Sequence, residues 1–251
     1  MTRKVLSLML VGLLAITSMF AGNGDKDFAI IYIGNSITFG AMHEKRDVTA
    51  PPVYTSQILG KKLKANIVWR NCGWSGATTF DFLPSAKRYF PRVEKAIKEI
   101  QAETSAPIVF SIMLGTNDSA CSGPTGSPVS NEDYKKNLIV IMEALKELAP
   151  NAKFIFQRPI WYSPNTYNAA MYLQKGLNRL VGYVPVLEEL AAERDDVMMG
   201  DVDAFAYFEK NYEKYCYPEP GNAGTFYLHP TPKGAKQLAK LWADGNVKAL
   251  K

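Results

Sequence analysis

Five short, largely apolar runs limit what this chain can fold into more than any other feature of it. They are FAIIYI at 28–33, IVWRN at 67–71, IVFSIML at 108–114, FIFQ at 154–157 and VMM at 197–199. A strand with one wet face alternates apolar and polar residues. A continuous apolar run instead suits a strand covered on both faces, the usual state of a parallel sheet. Helical patterns fall between the runs, at 53–64, 91–103, 131–149 and 168–193, and a last one lies at 232–248. The clearest has a cap sequence, Ser130-Asn-Glu-Asp133, before apolar residues at Tyr134, Leu138, Ile141, Leu145 and Leu148, three and four apart. Strands alternating with helices predict an α/β fold around a parallel sheet of about five strands. Neither a linker nor an internal repeat divides the chain, so residues 23–251 read as one domain.

The first 22 residues read differently. Arg3 and Lys4 precede an apolar stretch at 5–16, and small and polar residues follow at 17–22. This is the pattern of a signal peptide over 1–22. A membrane anchor is the alternative, but the apolar stretch is short for a span and no stop-transfer pattern follows. The mature chain is therefore expected in the periplasm or outside the cell, with no stable membrane insertion once the signal is removed. There disulfides are permitted, and Cys72, Cys121 and Cys216 could form one bridge, the pair left open. The net charge of +5 falls to 27 basic against 24 acidic residues once Arg3 and Lys4 are removed. A balance so near neutral, with no basic run interleaved with aromatics, excludes nucleic acid as the expected partner. Two histidines, His43 and His229, are too few for a histidine-rich metal site. Any histidine base must be one of them.

In a parallel α/β sheet, ligands bind beyond the carboxyl ends of the strands. The residues there are Gly34-Asn-Ser36-Ile-Thr38, Asn71-Cys-Gly-Trp-Ser-Gly76, Gly115-Thr-Asn117-Asp118 and, before the last helix, His229-Pro230. Ser36 could simply cap a helix; a serine at a strand-to-helix turn is equally placed as a nucleophile. Gly76 could be a turn glycine, or a bare N–H that a substrate oxygen can approach. Asn117 could be a turn residue, or an amide donor to an oxyanion. His229 could be a packing residue, or the general base for Ser36. No dinucleotide or phosphate-loop fingerprint is present, since neither G-x-G-x-x-G nor Gly-Lys-Ser/Thr follows the first run.

Taken together, these four blocks resemble the SGNH hydrolases, the GDSL-type esterases and lipases. The family's Gly-Asp-Ser-Ile-Thr stands here as Gly34-Asn35-Ser36-Ile37-Thr38. Its Asn-x-Gly-x-Ser-Gly stands as Asn71-Cys72-Gly73-Trp74-Ser75-Gly76, its Gly-x-Asn-Asp as Gly115-Thr116-Asn117-Asp118, and its last block ends in His229-Pro230. The blocks keep the family's order and span nearly the whole mature chain. The resemblance implies a three-layer α/β/α sandwich, flavodoxin-like, and a serine esterase that needs no metal or cofactor. It makes Ser36 the nucleophile and His229 the base, with the Ser36 amide, the Gly76 amide and the Asn117 side chain as the oxyanion hole. Asn35 replaces the family's Asp at a position that is not catalytic. The second departure matters more. The family's triad acid sits three residues before the histidine, and Phe226 stands there. Asp201, Asp203 and Glu219 are candidates to replace it. Residues 221–228 contain no acid, which favours a backbone carbonyl or a Ser–His dyad.

The expected substrate is a small-molecule or glycan ester, with O-acetyl groups on carbohydrate foremost. Trp74, Trp161, Tyr162, Tyr167 and Tyr172 lie near the strand ends and could stack on sugar rings or could be core. The alternatives are a lipase or acylhydrolase acting on small or lipid esters, and a glycan-binding protein on the same fold without catalysis.

Overall fold

The computed structural model describes residues 27–250. The expected signal segment 1–22 lies outside the described residues. Five parallel strands form the central sheet: β1 (Asp27–Gly34), β2 (Asn66–Asn71), β3 (Ile108–Met113), β4 (Lys153–Phe156) and β7 (Val197–Met199), in the order β2-β1-β3-β4-β7. Two small antiparallel hairpins are added at the edges of the site, β5 (Thr166–Tyr167) with β6 (Ala170–Met171) and β8 (Glu219–Gly221) with β9 (Gly224–Phe226). The chain steps from β1 to β2 in one direction and from β2 past β1 to β3 in the other. Right-handed crossovers therefore place α3 (Pro51–Leu63) on one face, and α4 (Phe90–Glu103), α5 (Asn131–Leu148), α6 (Leu173–Gly182) and α7 (Val184–Glu193) on the other. After β7 come α8 (Ala204–Tyr215) and α9 (Pro232–Leu250), and α9 packs against α3. The result is the three-layer α/β/α, flavodoxin-like sandwich.

Every residue of β3 is buried, as the unbroken apolar run requires. One face of α4 supplies Phe90, Val93, Ala96, Ile97 and Ile100 to the core. On the other side, Trp242 of α9 stacks on Tyr32 of β1 at 6.5 Å between centroids. Burying side chains of this size contributes about 1.5–3 kcal/mol each. Gly245 lets α9 come close: a Cβ there would lie 2.4 Å from the Gly200 backbone. Ser130 caps α5 as expected, accepting a hydrogen bond from the Asp133 amide.

Three elements differ from the sequence expectation. The stretch 168–193 is not one helix. Asn168 and Ala169 take left-handed φ values of 47° and 62° in the turn of the β5–β6 hairpin, Leu173 takes 51° where α6 starts, and a separate α7 begins at Val184 with Pro185 in its first turn. Helix α8 was missed, although Phe205, Phe208, Tyr212 and Tyr215 repeat at three and four. The β8–β9 hairpin was also missed.

The strand order reverses between β1 and β3, which opens a crevice at their carboxyl ends. Register pairs Gly34 with Met113 and Tyr32 with Asn71. The segments leaving the three strands therefore emerge side by side.

Candidate active site

The nucleophile candidate is held by a single helical turn, α1 (Ser36–Phe39). Asn35, not Ser36, is its N-cap: the Asn35 Oδ1 accepts from the Ile37 amide at 3.0 Å. Gly40 closes the turn in the left-handed region, at φ 80°. Ser36 is thus free of capping duty, and its Oγ lies 2.8 Å from His229 Nε2.

His229 is fixed from several directions. Its Nδ1 lies 2.8 Å and 3.0 Å from the two carboxylate oxygens of Glu219, whose side chain is wholly buried. A carboxylate can only accept, so the proton sits on Nδ1 and Nε2 is left to accept from the Ser36 hydroxyl. The Tyr217 amide donates to the His229 carbonyl at 2.9 Å. Next door, His43 Nε2 donates to the Pro230 carbonyl at 2.8 Å. Short α2 (Arg46–Thr49) lies just beyond His43, and Thr49 Oγ1 meets the His43 Nδ1 at 3.0 Å.

The expectation of a backbone carbonyl or a dyad is therefore corrected. The orienting group is Glu219, and it is local after all. Glu219 of β8 pairs directly with Phe226 of β9, so the two side chains share one face of the hairpin. The carboxylate has moved one cross-strand step from the position where the family carries its acid. Phe226 fills that position and stacks between Tyr167 and Tyr172, at 5.1 Å and 5.3 Å. Asp201 and Asp203 play no part here. Asp201 receives the Asp203 and Ala204 amides at the start of α8, and burial pushes its pKa up to about 6.

Gly76 sits at φ 78°, where a side chain would be strained, and a Cβ built there would meet nothing within 4 Å. Its backbone thus stands open to the cavity. Asn117 follows β3 and is buried. Its Nδ2 donates to the Ala77 carbonyl at 2.9 Å, and its Oδ1 accepts from the Tyr172 hydroxyl at 2.8 Å. Neighbouring Asp118 accepts from the Thr79 amide at 2.8 Å through Oδ1; burial pushes its pKa up to about 6. Ser36, Ser75, Gly76, Asn117, Tyr167 and His229 are among the residues around one cavity of about 460 Å³. The four residues selected from the sequence thus meet at one place.

Of the five aromatics expected at this face, Tyr167 and Tyr172 reach the cavity. Trp161 packs on Tyr212, and the Tyr162 hydroxyl bonds to Ser119 in the core. Trp74 is packed between Phe39 and Tyr89, with Arg92 over its ring. The three cysteines are free, and burial pushes the Cys72 and Cys216 thiols up to about 12. Among the described residues, no group of three or more His, Cys, Asp and Glu is arranged to hold a metal ion. No described helix is long and apolar enough to cross a membrane.

The sequence model of the GDSL-like Lipase/Acylhydrolase family matches residues 32–237. No curated protein matches the chain. Among solved structures, a Parabacteroides merdae protein described as a GDSL-like lipase is similar at TM-score 0.61 and 21% identity. That match covers 90% of this chain and 98% of the other. An acetylxylan esterase from Geobacillus stearothermophilus is similar at 0.57 and 20% identity, over 85% and 91% of the two chains. A carbohydrate acetylesterase from Sinorhizobium meliloti is similar at 0.59 and 16% identity, over 89% and 100%. The chain belongs to the GDSL-like lipase/acylhydrolase family and is a carboxylic ester hydrolase.

Proposed function

We propose that the protein is a secreted serine esterase that removes O-acyl groups, acetyl foremost, from carbohydrate. The observation that carries the reading is the unbroken hydrogen-bonded chain from Ser36 Oγ through both nitrogens of His229 to Glu219. Ser36 Oγ attacks the ester carbonyl carbon as its proton passes to His229 Nε2. Glu219 stabilises the imidazolium so formed. The oxyanion is received by the Ser36 and Gly76 amides and by the Asn117 Nδ2, each donor contributing about 2.7–4 kcal/mol at the transition state. His229 then gives its proton to the leaving sugar oxygen. Water, activated by the same nitrogen, releases the acid from the acyl-serine.

Three observations support carbohydrate and a short acyl group. The two solved esterases similar in fold are described as acting on acetylxylan and as a carbohydrate acetylesterase. Small residues such as Ala41, Gly123 and Ala170 line much of the cavity. Tyr167 and Asn168 stand at its edge, an aromatic face and an amide suited to a sugar. The leader-like residues 1–22 support export, with 23–251 as the mature hydrolase domain. The test is hydrolysis of p-nitrophenyl acetate, longer p-nitrophenyl esters and acetylated xylo-oligosaccharides, with Ser36→Ala alongside. Acetyl esters should be preferred and acetate released from the sugar. Faster turnover of long-chain esters would replace this reading with a lipase.

A further inference from the structure

Asn117 has two amide hydrogens and one carbonyl oxygen to satisfy. Its Nδ2 faces the Ala77 carbonyl at 2.9 Å, which fixes the orientation of the amide. Turned over, it would set two acceptors against each other. The Oδ1 must then face the Tyr172 hydroxyl, and Tyr172 must be the donor across that 2.8 Å contact. One Nδ2 hydrogen remains for the cavity.

We propose that Tyr172 is a positioning residue that holds the Asn117 amide in register as an oxyanion donor. The inference rests on the oxyanion role given to Asn117 above. Tyr172 is itself tightly held. Its ring stacks on Phe226 and packs at 5.0 Å against Tyr162. Its backbone amide donates to the Asn165 carbonyl at 3.0 Å. Asn165 Oδ1 in turn accepts from the Ala223 amide, in the turn of the hairpin that carries Glu219. The residue after Tyr172, Leu173, is held at φ 51°, a strained value for a leucine that persists only where the surroundings enforce it. Burial and then the charge of Glu219 hold the Tyr172 phenol well above its ordinary pKa, so it stays a donor at any working pH. A hydrogen bond to Oδ1 also polarises the amide and makes its free N–H a stronger donor. Phe226, standing where the family has an acid, thereby acquires a use: it backs the tyrosine that aims the oxyanion donor.

The test is a double-mutant cycle between Tyr172→Phe and Asn117→Ala on p-nitrophenyl acetate. Tyr172→Phe keeps the ring stack and loses only the hydroxyl. It should lower kcat about tenfold with KM within about twofold, and add less than about twofold in the Asn117→Ala background. Replacing Tyr172 by para-aminophenylalanine, which restores a ring donor, should recover part of the loss. If the Phe variant loses its thermal transition, para-fluorophenylalanine, which fills the hydroxyl's space without donating, provides the cycle. Wild-type kcat in Tyr172→Phe, or an undiminished loss in the Asn117→Ala background, overturns the proposal. An Asn117→Ala protein with unchanged kcat would instead refute the oxyanion assignment on which it rests.

Discussion

Replacing Glu219 by Gln removes the charge behind His229 at nearly constant shape. The carboxylate lies 2.8 Å from Nδ1 and is shielded from water. At that separation and an effective dielectric constant of about 20, its attraction to the imidazolium is about 6 kcal/mol. The charge on the ring exists only while the serine proton is in transit, so the loss falls on the transition state. It corresponds to about 10⁴-fold in kcat. A glutamine amide that turns its N–H toward Nδ1 would also force the ring proton onto Nε2, where it cannot receive the Ser36 proton. Initial rates on p-nitrophenyl acetate, with the thermal midpoint as a folding control, measure the effect. A folded Glu219→Gln enzyme within tenfold of wild-type kcat would refute the reasoning. It would return the site to a Ser–His dyad.

His229→Ala should abolish turnover, whereas His43→Ala, which removes a brace on the Pro230 carbonyl and a contact with Thr49, should cost less than about tenfold in kcat; equal losses would give His43 a direct part. Asn117→Ala should lower kcat by about 10²–10³ with little change in KM, and a pure KM effect would make Asn117 a binding residue. Asp118, pushed by burial from 3.8 to about 6, binds its proton more readily folded than unfolded. Its carboxylate therefore costs stability as the pH rises between about 4 and 6, by up to about 3 kcal/mol. Urea unfolding at the two ends of that range should show a smaller fall for Asp118→Asn than for wild type, and parallel falls would contradict the assignment.

The central strands β1, β3 and β4 were legible because burial on both faces demands nearly unbroken apolar runs. Ser36, Gly76, Asn117 and His229 were legible because a parallel sheet gathers its strand ends in one crevice. Glu219 was not. It reaches His229 through a hairpin with a two-residue turn, Asn222-Ala223, and the cross-strand pairing with Phe226 has no local sequence signature. Glu219 lies two positions before the acid-free stretch 221–228, whose composition pointed away from a local carboxylate. The helical spacing at 168–193 was real for α6 and α7, but it gave no warning that Asn168, Ala169 and Leu173 would adopt left-handed backbone. That hairpin puts Tyr167 and Tyr172 on either side of Phe226. Sugar stacking and core packing were the two roles the sequence suggested for Tyr172; its bond to Asn117 depends on a fold that brings together residues 55 positions apart.

The most direct test of the central claim, that Ser36 is an acyl-forming nucleophile activated by His229, is mass-spectrometric peptide mapping after brief reaction with a fluorophosphonate. A single covalent adduct on the peptide carrying Ser36, absent from Ser36→Ala and slowed in His229→Ala and Glu219→Gln, is the predicted result. An adduct on another residue, or a Ser36→Ala protein that still hydrolyses p-nitrophenyl acetate at the wild-type rate, would contradict it.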